Sequence, residues 1–170
     1  MSDFILSCES TADLSAEKLA AIDVEHICFH FMLDGCDYRD DLGQSIPFED
    51  FYRAMANGAD TKTAAVGTGD YLEYFGNFLE QGKDVLHASL SSGISSSYEA
   101  ACEAAAELAP KYPDRKLYVI DSLAASSGYG LLMQTLSDMR ALREKADQMQ
   151  SVRRGALFDK LIGGIALLPE

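Results

Sequence analysis

The sequence predicts an α/β fold: a mostly parallel sheet flanked by helices, with a short β-hairpin inserted. Three observations lead there. Short apolar runs at Phe4–Ser7, Asp84–Leu90 and Lys116–Ile120 read as strands, and each is followed by a polar turn and a helical pattern. Strands alternating with helices place the strands parallel in one sheet. Between the first and second of these runs, Asp34-Gly35 sits between two extended segments and signals a hairpin.

The elements follow in order. After the first strand comes the polar turn "CESTAD", and Ser15 then precedes a short helix, "AEKLAAI". Glu25 to Leu33 reads as one strand, ending in the "LDGCDY" turn. Ser45 and Pro47 open a helix through Phe48, Phe51 and Met55 that stops near Gly58. "ADTKTAAVGTGD" reads as a loop by its Thr, Gly and Ala content, and a helix over 70–81 buries Leu72, Phe75, Phe78 and Leu79. The Asp84–Leu90 strand enters a serine loop where Ser96 and Glu99 have capping-box spacing for a helix through Leu108. "KLYVI" runs into "DSLAASSGYG", and a long helix extends from about Ser126 to Met149.

The length of 170 residues suits one compact domain. The formal net charge is −13, distributed unevenly. Residues 1–139 hold 8 basic against 23 acidic residues, a balance of −15, and the remainder carries +2 from 6 basic and 4 acidic. An acidic body argues against nucleic acid, whose phosphates need clustered Lys and Arg. The slightly basic tail could serve as a docking helix, but a solvated helix face accounts for it better. No basic-then-apolar leader opens the sequence and no run is long enough to span a membrane, so the expected location is the cytoplasm. There Cys8, Cys28, Cys36 and Cys102, with no CxxC pair among them, are expected to be reduced and mostly buried.

Parallel α/β sheets bind ligands where loops leave the carboxyl ends of the strands. Four loops are expected at that edge: "SCEST", "DTKTAAV", "SLSSGISSS" and "DSLAASSG". All are rich in hydroxyls; the third carries Ser91, Ser92, Ser95, Ser96 and Ser97. Free N–H groups at a helix start and serine hydroxyls together favour a negative group. Lys62 is the single basic residue in these loops, and the "GxxxxGK[ST]" phosphate loop is absent. One carboxylate or phosphate therefore suits the loops better than a polyphosphate. The competing explanation is that each serine merely caps its own turn.

"SCESTADLS", "TKTAAV", "SLSSGISSSYEAA" and "DSLAASSGYGLLM" resemble the signature loops of the DegV family of bacterial fatty-acid-binding proteins. The resemblance runs in consistent order through the first 140 residues and implies the N-terminal lobe of that fold. It implies a long-chain fatty acid as ligand, no further cofactor and no metal, no catalysis by the chain itself, and a fatty acid kinase subunit as partner. It implies that Thr63 and Ser92 bond the acid's carboxylate. Ser91 and Ser95 are weaker candidates beside them. Ser10, Thr11, Asp121 and Ser122 would support the loops, and Gly93 would let the backbone approach the head group. Family members typically continue into a second lobe that helps enclose the acyl chain and supplies a histidine near the head group. Here 1–140 forms the lobe, and 141–170 reads as a helical C-terminal extension unlike the family. "KTAAV" also departs from the family, with Ala64, Ala65 and Val66 in place of the usual serine, glutamine and proline. A first lobe alone would expose an apolar wall, through which it could pair as a homo-oligomer.

Two other functions stay open. One is an interaction module that binds another protein and no lipid. The other is a serine hydrolase using His87 and Asp121 beside the serine loop, although "GxSxG" is missing. His26, Cys28 and His30 share one strand face at period two, which suits a half-buried strand better than zinc. Asp34, Asp37, Asp40 and Asp41 lack the spacing of a calcium loop.

Overall fold

The computed structural model describes residues 4–150. Four parallel strands, β1 (Phe4–Glu9), β2 (Glu25–Ile27), β6 (Asp84–Ser89) and β7 (Leu117–Asp121), form a sheet in the order β2-β1-β6-β7. Helices α1 (Ala16–Ala21) and α5 (Ser126–Gln150) pack on one face, α3 (Thr68–Glu80) and α4 (Ser97–Leu108) on the other. A second, antiparallel sheet holds β3 (His30–Leu33), β4 (Cys36–Arg39) and β5 (Thr61–Ala64) in the order β4-β3-β5, joined by helix α2 (Phe48–Ala56). The fold is thus the expected α/β one, with a three-stranded unit where a hairpin was expected.

The pleat explains the two cores. Phe4, Leu6 and Cys8 of β1, with Leu86 and Ala88 of β6, face Leu19, Tyr129 and Met133. On the opposite face Val85 meets Tyr71, Phe75, Leu79, Ala101 and Ala104. The buried stripe of α3 is Tyr71, Phe75 and Leu79; the expected Leu72 and Phe78 lie at its margin, partly buried.

Five local expectations change. The strand expected over Glu25–Leu33 breaks in two, because Phe29 leaves the ladder: its N–H donates to Ser10 Oγ (3.1 Å) and its carbonyl accepts from the Asp40 N–H (2.8 Å). His26 and His30 consequently sit in different sheets, and the shared face expected for them does not form. The expected "TKTA" loop is an edge strand, with Thr63 opposite Phe31; its outward side chains read as loop, while β-branched threonine suits a strand. Ser96 makes no side-chain cap on α4; Ser95 Oγ accepts the Ser97 N–H instead (3.2 Å). Of the cysteines, all free, only Cys8 is buried and Cys36 is exposed.

The hairpin turn forms as expected, with Asp34 and Gly35 both left-handed and Leu33 paired with Cys36. The acidic run does turn chemistry: Asp34 accepts the Asp60 N–H, and Asp41 accepts from Gln44 and Ser45. Arg140, counted in the solvated tail from sequence, is buried and donates to the carbonyls of Ile22 (2.9 Å) and Asp23 (2.5 Å) beyond α1. Of the expected extension 141–170, α5 runs on to Gln150 and the remainder lies outside the described residues.

α5 also presses on the turn after β1. A Cβ at Gly130 would stand 2.7 Å from the Ala12 carbonyl oxygen and 3.1 Å from Leu14 Cδ2. Gly130→Ala is therefore expected to destabilise the protein by ~1–3 kcal/mol, read as a lower denaturation midpoint.

Candidate functional site

The chain reverses its direction of travel across the sheet between β1 and β6, so the loops after these strands diverge and leave a crevice at the carboxyl edge. The loop after β7 lies beside them. Its Ser122 N–H donates to the Ser89 carbonyl (3.0 Å), and the Ser91 N–H donates to the Ala124 carbonyl (3.1 Å).

Within these stitched loops the hydroxyls are largely engaged. Ser92 donates its N–H to Asp121 Oδ1 (3.2 Å) and its hydroxyl to Asp121 Oδ2 (2.5 Å). Asp121 Oδ1 also accepts the Leu123 N–H (3.0 Å). Burial pushes the Asp121 carboxyl up, but these bonds outweigh it and hold it below the usual carboxylate range. Ser122 Oγ bonds both backbone groups of Ala124. Ser91 Oγ accepts the Gly93 N–H (3.2 Å), and Ser95 Oγ pairs with Ser97 Oγ (2.8 Å). A Cβ on Gly93 would make only an ordinary 3.5 Å contact with Ser91, so no close approach within the chain itself requires glycine there.

Ser10, Thr11 and Thr63 stand elsewhere, on the wall of a cavity of about 680 Å³. That volume is ordinary for a small-molecule site. Leu14, Phe29, Phe31, Leu42 and Ile46 make much of the wall apolar, and Phe48, Phe51 and Tyr52 bring α2 over it. Ser10 is buried, with its hydroxyl on the Phe29 N–H. Thr63 is exposed. Thr11 Oγ1 is shielded from solvent and has no hydrogen-bond partner among the described residues. The nine candidates thus form two groups, three on the cavity and six on the loops after β6 and β7. Among the described residues no hydrogen bond joins the groups.

Beneath the loops lies a cluster the sequence reading missed. Glu9 is 0% exposed. Its Oε1 accepts from Tyr71 (2.6 Å), Ser89 (2.7 Å) and His87 Nε2 (3.2 Å). Its Oε2 accepts the Leu90 N–H (2.9 Å) and bonds the Tyr129 hydroxyl, which also contacts the Ala88 carbonyl and accepts the Glu9 N–H. Burial pushes the Glu9 carboxyl up, but the charge and hydrogen bond of His87, with the hydroxyls of Ser89 and Tyr129, hold it down to about 2. Burial and then the Glu9 charge raise Tyr71 and Tyr129, which keeps both phenols protonated as donors. A signal existed: Ser7, Glu9, His87 and Ser89 alternate with apolar residues on adjacent strands, a polar stripe on one face of the sheet.

This cluster also removes the hydrolase arrangement. His87 is fully buried, with Nδ1 on Ser7 Oγ (2.8 Å) and Nε2 on Glu9, while Ser92 bonds Asp121 directly. A Ser92–His87–Asp121 relay does not form.

With this geometry in place, similarity to known proteins decides the family. Residues 6–153 match the family described as uncharacterised proteins of the DegV family. The chain belongs to the DegV family. A DegV domain-containing protein of Clostridium perfringens is 27% identical over 151 residues, covering 89% of this chain and 52% of that one. A stearic-acid-binding protein of Eubacterium ventriosum is 29% identical with a TM-score of 0.73, over 80% of this chain and 47% of that one. The B3 protein of Streptococcus pneumoniae fatty acid kinase, solved with linoleic acid, is 21% identical with a TM-score of 0.71, over 98% of this chain and 53% of that one. This DegV chain spans about half the length of the curated relative and of these solved proteins. Among its described residues no helix is long and apolar enough to cross a membrane.

Glu9 makes stability depend on acid. A carboxyl lowered in the folded state from 4.5 to about 2 contributes fully above pH 4.5, and its contribution disappears as pH falls toward 2. Glu9→Gln is expected to lose about 3–5 kcal/mol at pH 7 by denaturant titration, since it removes one partner from a buried ionic cluster. The variant should also show a flatter stability profile than wild type between pH 4.5 and 2.

Proposed function

We propose that this chain binds a long-chain fatty acid and presents it to a fatty acid kinase subunit. The observation that carries the reading is the cavity of about 680 Å³, apolar on most of its wall, with Thr11 and Thr63 hydroxyls on it, in a DegV-family fold. The fatty acids solved in the stearic-acid-binding and linoleic-acid-loaded relatives point to the same ligand class.

Burying about 14 methylenes at ~0.8 kcal/mol each offers ~11 kcal/mol, so the tail supplies most of the affinity. The carboxylate is assigned to Thr63 and Ser92, with Ser91, Ser95 and Thr11 as neighbouring donors and Ser10, Gly93, Asp121 and Ser122 shaping the loops. Ser92 does not line the cavity, so on this reading the head group reaches from the cavity wall to the loop after β6. Charge-assisted bonds add ~1.5–3 kcal/mol each, which orients the head group. Ser92 has one hydroxyl proton, and it is directed to Asp121. Binding therefore requires that hydroxyl to turn from Asp121 to the acid. Phosphoryl transfer to the acid would belong to the kinase subunit, and the chain itself performs no catalysis.

A second reading, a module that docks on protein without lipid, is favoured by one observation. Ile94 and Leu123, 67% and 79% exposed, stand at the tips of the loops after β6 and β7. Pairing through such apolar tips would serve a homo-oligomer as well as a foreign partner.

The test is fatty acid released from purified protein by solvent extraction and identified by mass spectrometry, followed by uptake of added oleic acid. Fatty-acid binding predicts near-stoichiometric acid in the wild type, with Thr63→Ala and Ser92→Ala each weakening retention about tenfold or more, the effect of losing one such bond. Protein that is empty and takes up no oleic acid would overturn the reading. Binding that ignores both substitutions would move the head group away from these residues.

A further inference from the structure

We infer that Glu9 is a positioning residue for the head-group site, a role that rests on the fatty-acid reading above. Glu9 does not line the cavity and is fully buried, so it acts only through its partners. Those partners are the roots of three of the loops at the carboxyl edge, those after β1, β6 and β7. Its own backbone leads straight into Ser10 and Thr11. Its Oε2 accepts the N–H of Leu90, the last peptide before Ser91 and Ser92, and its Oε1 accepts the Ser89 hydroxyl one residue earlier. Tyr129, in the first turn of α5 after the Asp121–Ala125 loop, bonds both the Glu9 side chain and its N–H. Tyr71 adds α3 from the opposite face.

One carboxylate therefore ties the ends of β1 and β6 to the starts of α3 and α5. Each bond is directional, and the oxygen atoms are shared, so moving one loop root strains the others. The peptide orientation at Leu90 determines where Ser91 and Ser92 begin. The Ser92–Asp121 pair needs the loops after β6 and β7 in register, and Glu9 sets that register from below. A binding constellation is held in place by buried bonds of this kind behind the groups that touch the ligand.

The experiment compares oleic acid with oleyl alcohol, which has the same tail and no carboxylate. Dissociation constants for both are measured on wild type, Tyr129→Phe, Tyr71→Phe and Glu9→Asp. The two phenylalanine variants each remove one hydroxyl from Glu9 while keeping the ring, which guards against Glu9→Asp failing to fold. Wild type should prefer the acid. The variants should lose about tenfold in acid affinity and keep the alcohol affinity, with faster amide exchange at Leu90–Gly93. Variants that are less stable but keep the wild-type ratio of acid to alcohol would overturn the role of Glu9 alone. A wild type with no preference for the acid would overturn the head-group reading, and this role with it.

Discussion

A carboxylate removed entirely from water is the constraint around which this lobe is arranged. Desolvating such an ion costs several kcal/mol, and it stays ionised only where donors replace the lost water. Glu9 has those donors: two phenols, a serine hydroxyl, an imidazole and a peptide N–H. They come from α3, α5 and the end of β6, so the charge is satisfied only when strand and helix ends meet in one arrangement. The contact of Gly130 with the Ala12 carbonyl belongs to the same requirement, because Tyr129 reaches Glu9 only if α5 lies that close.

Above that carboxylate the lobe separates two kinds of chemistry. The cavity under α2 is apolar on most of its wall, with hydroxyls and charged groups on the rest, whereas the loops after β6 and β7 are crowded with hydroxyls and peptide groups. In a chain of net charge −13 the loops after β6 and β7 offer neutral donors, with no arginine among residues 89–97 and 121–126. Asp121 already occupies the donors of Ser92, and a single hydroxyl proton cannot serve two carboxylates. On the proposed reading, entry of an acid is an exchange of partners, and the affinity of the head group is a difference between two similar bonds.

The matched relatives extend to about twice the length that this chain covers. Ile94 and Leu123 stand exposed beside the hydroxyl loops, and Phe48 and Tyr52 stand exposed beside the cavity. Leu131 and Leu142 of α5 are exposed as well, away from these loops.

Strand and helix order, the hairpin turn and the hydroxyl loops could be read along the chain, because they depend on periodicity and turn chemistry within a few residues. Asp34-Gly35 is one example, and the α3 stripe is displaced only slightly from its expected position. What could not be read depends on contacts between distant residues. Thr63 looks like loop until β3 lies beside it, and the strand expected over Glu25–Leu33 breaks only because Ser10 takes the Phe29 N–H. Ser96 has the spacing of a cap, but its backbone is not extended, and Ser95 takes the role. Above all, Glu9 looks like an ordinary acidic residue leaving a strand. Its burial follows from Tyr129, 120 positions away, and from His87 and Ser89 on the neighbouring strand. Local sequence determined the elements and the chemical character of their loops. Tertiary structure decided which hydroxyls are engaged and which charge holds them, because hydrogen-bond satisfaction of a buried group is settled by all its neighbours together.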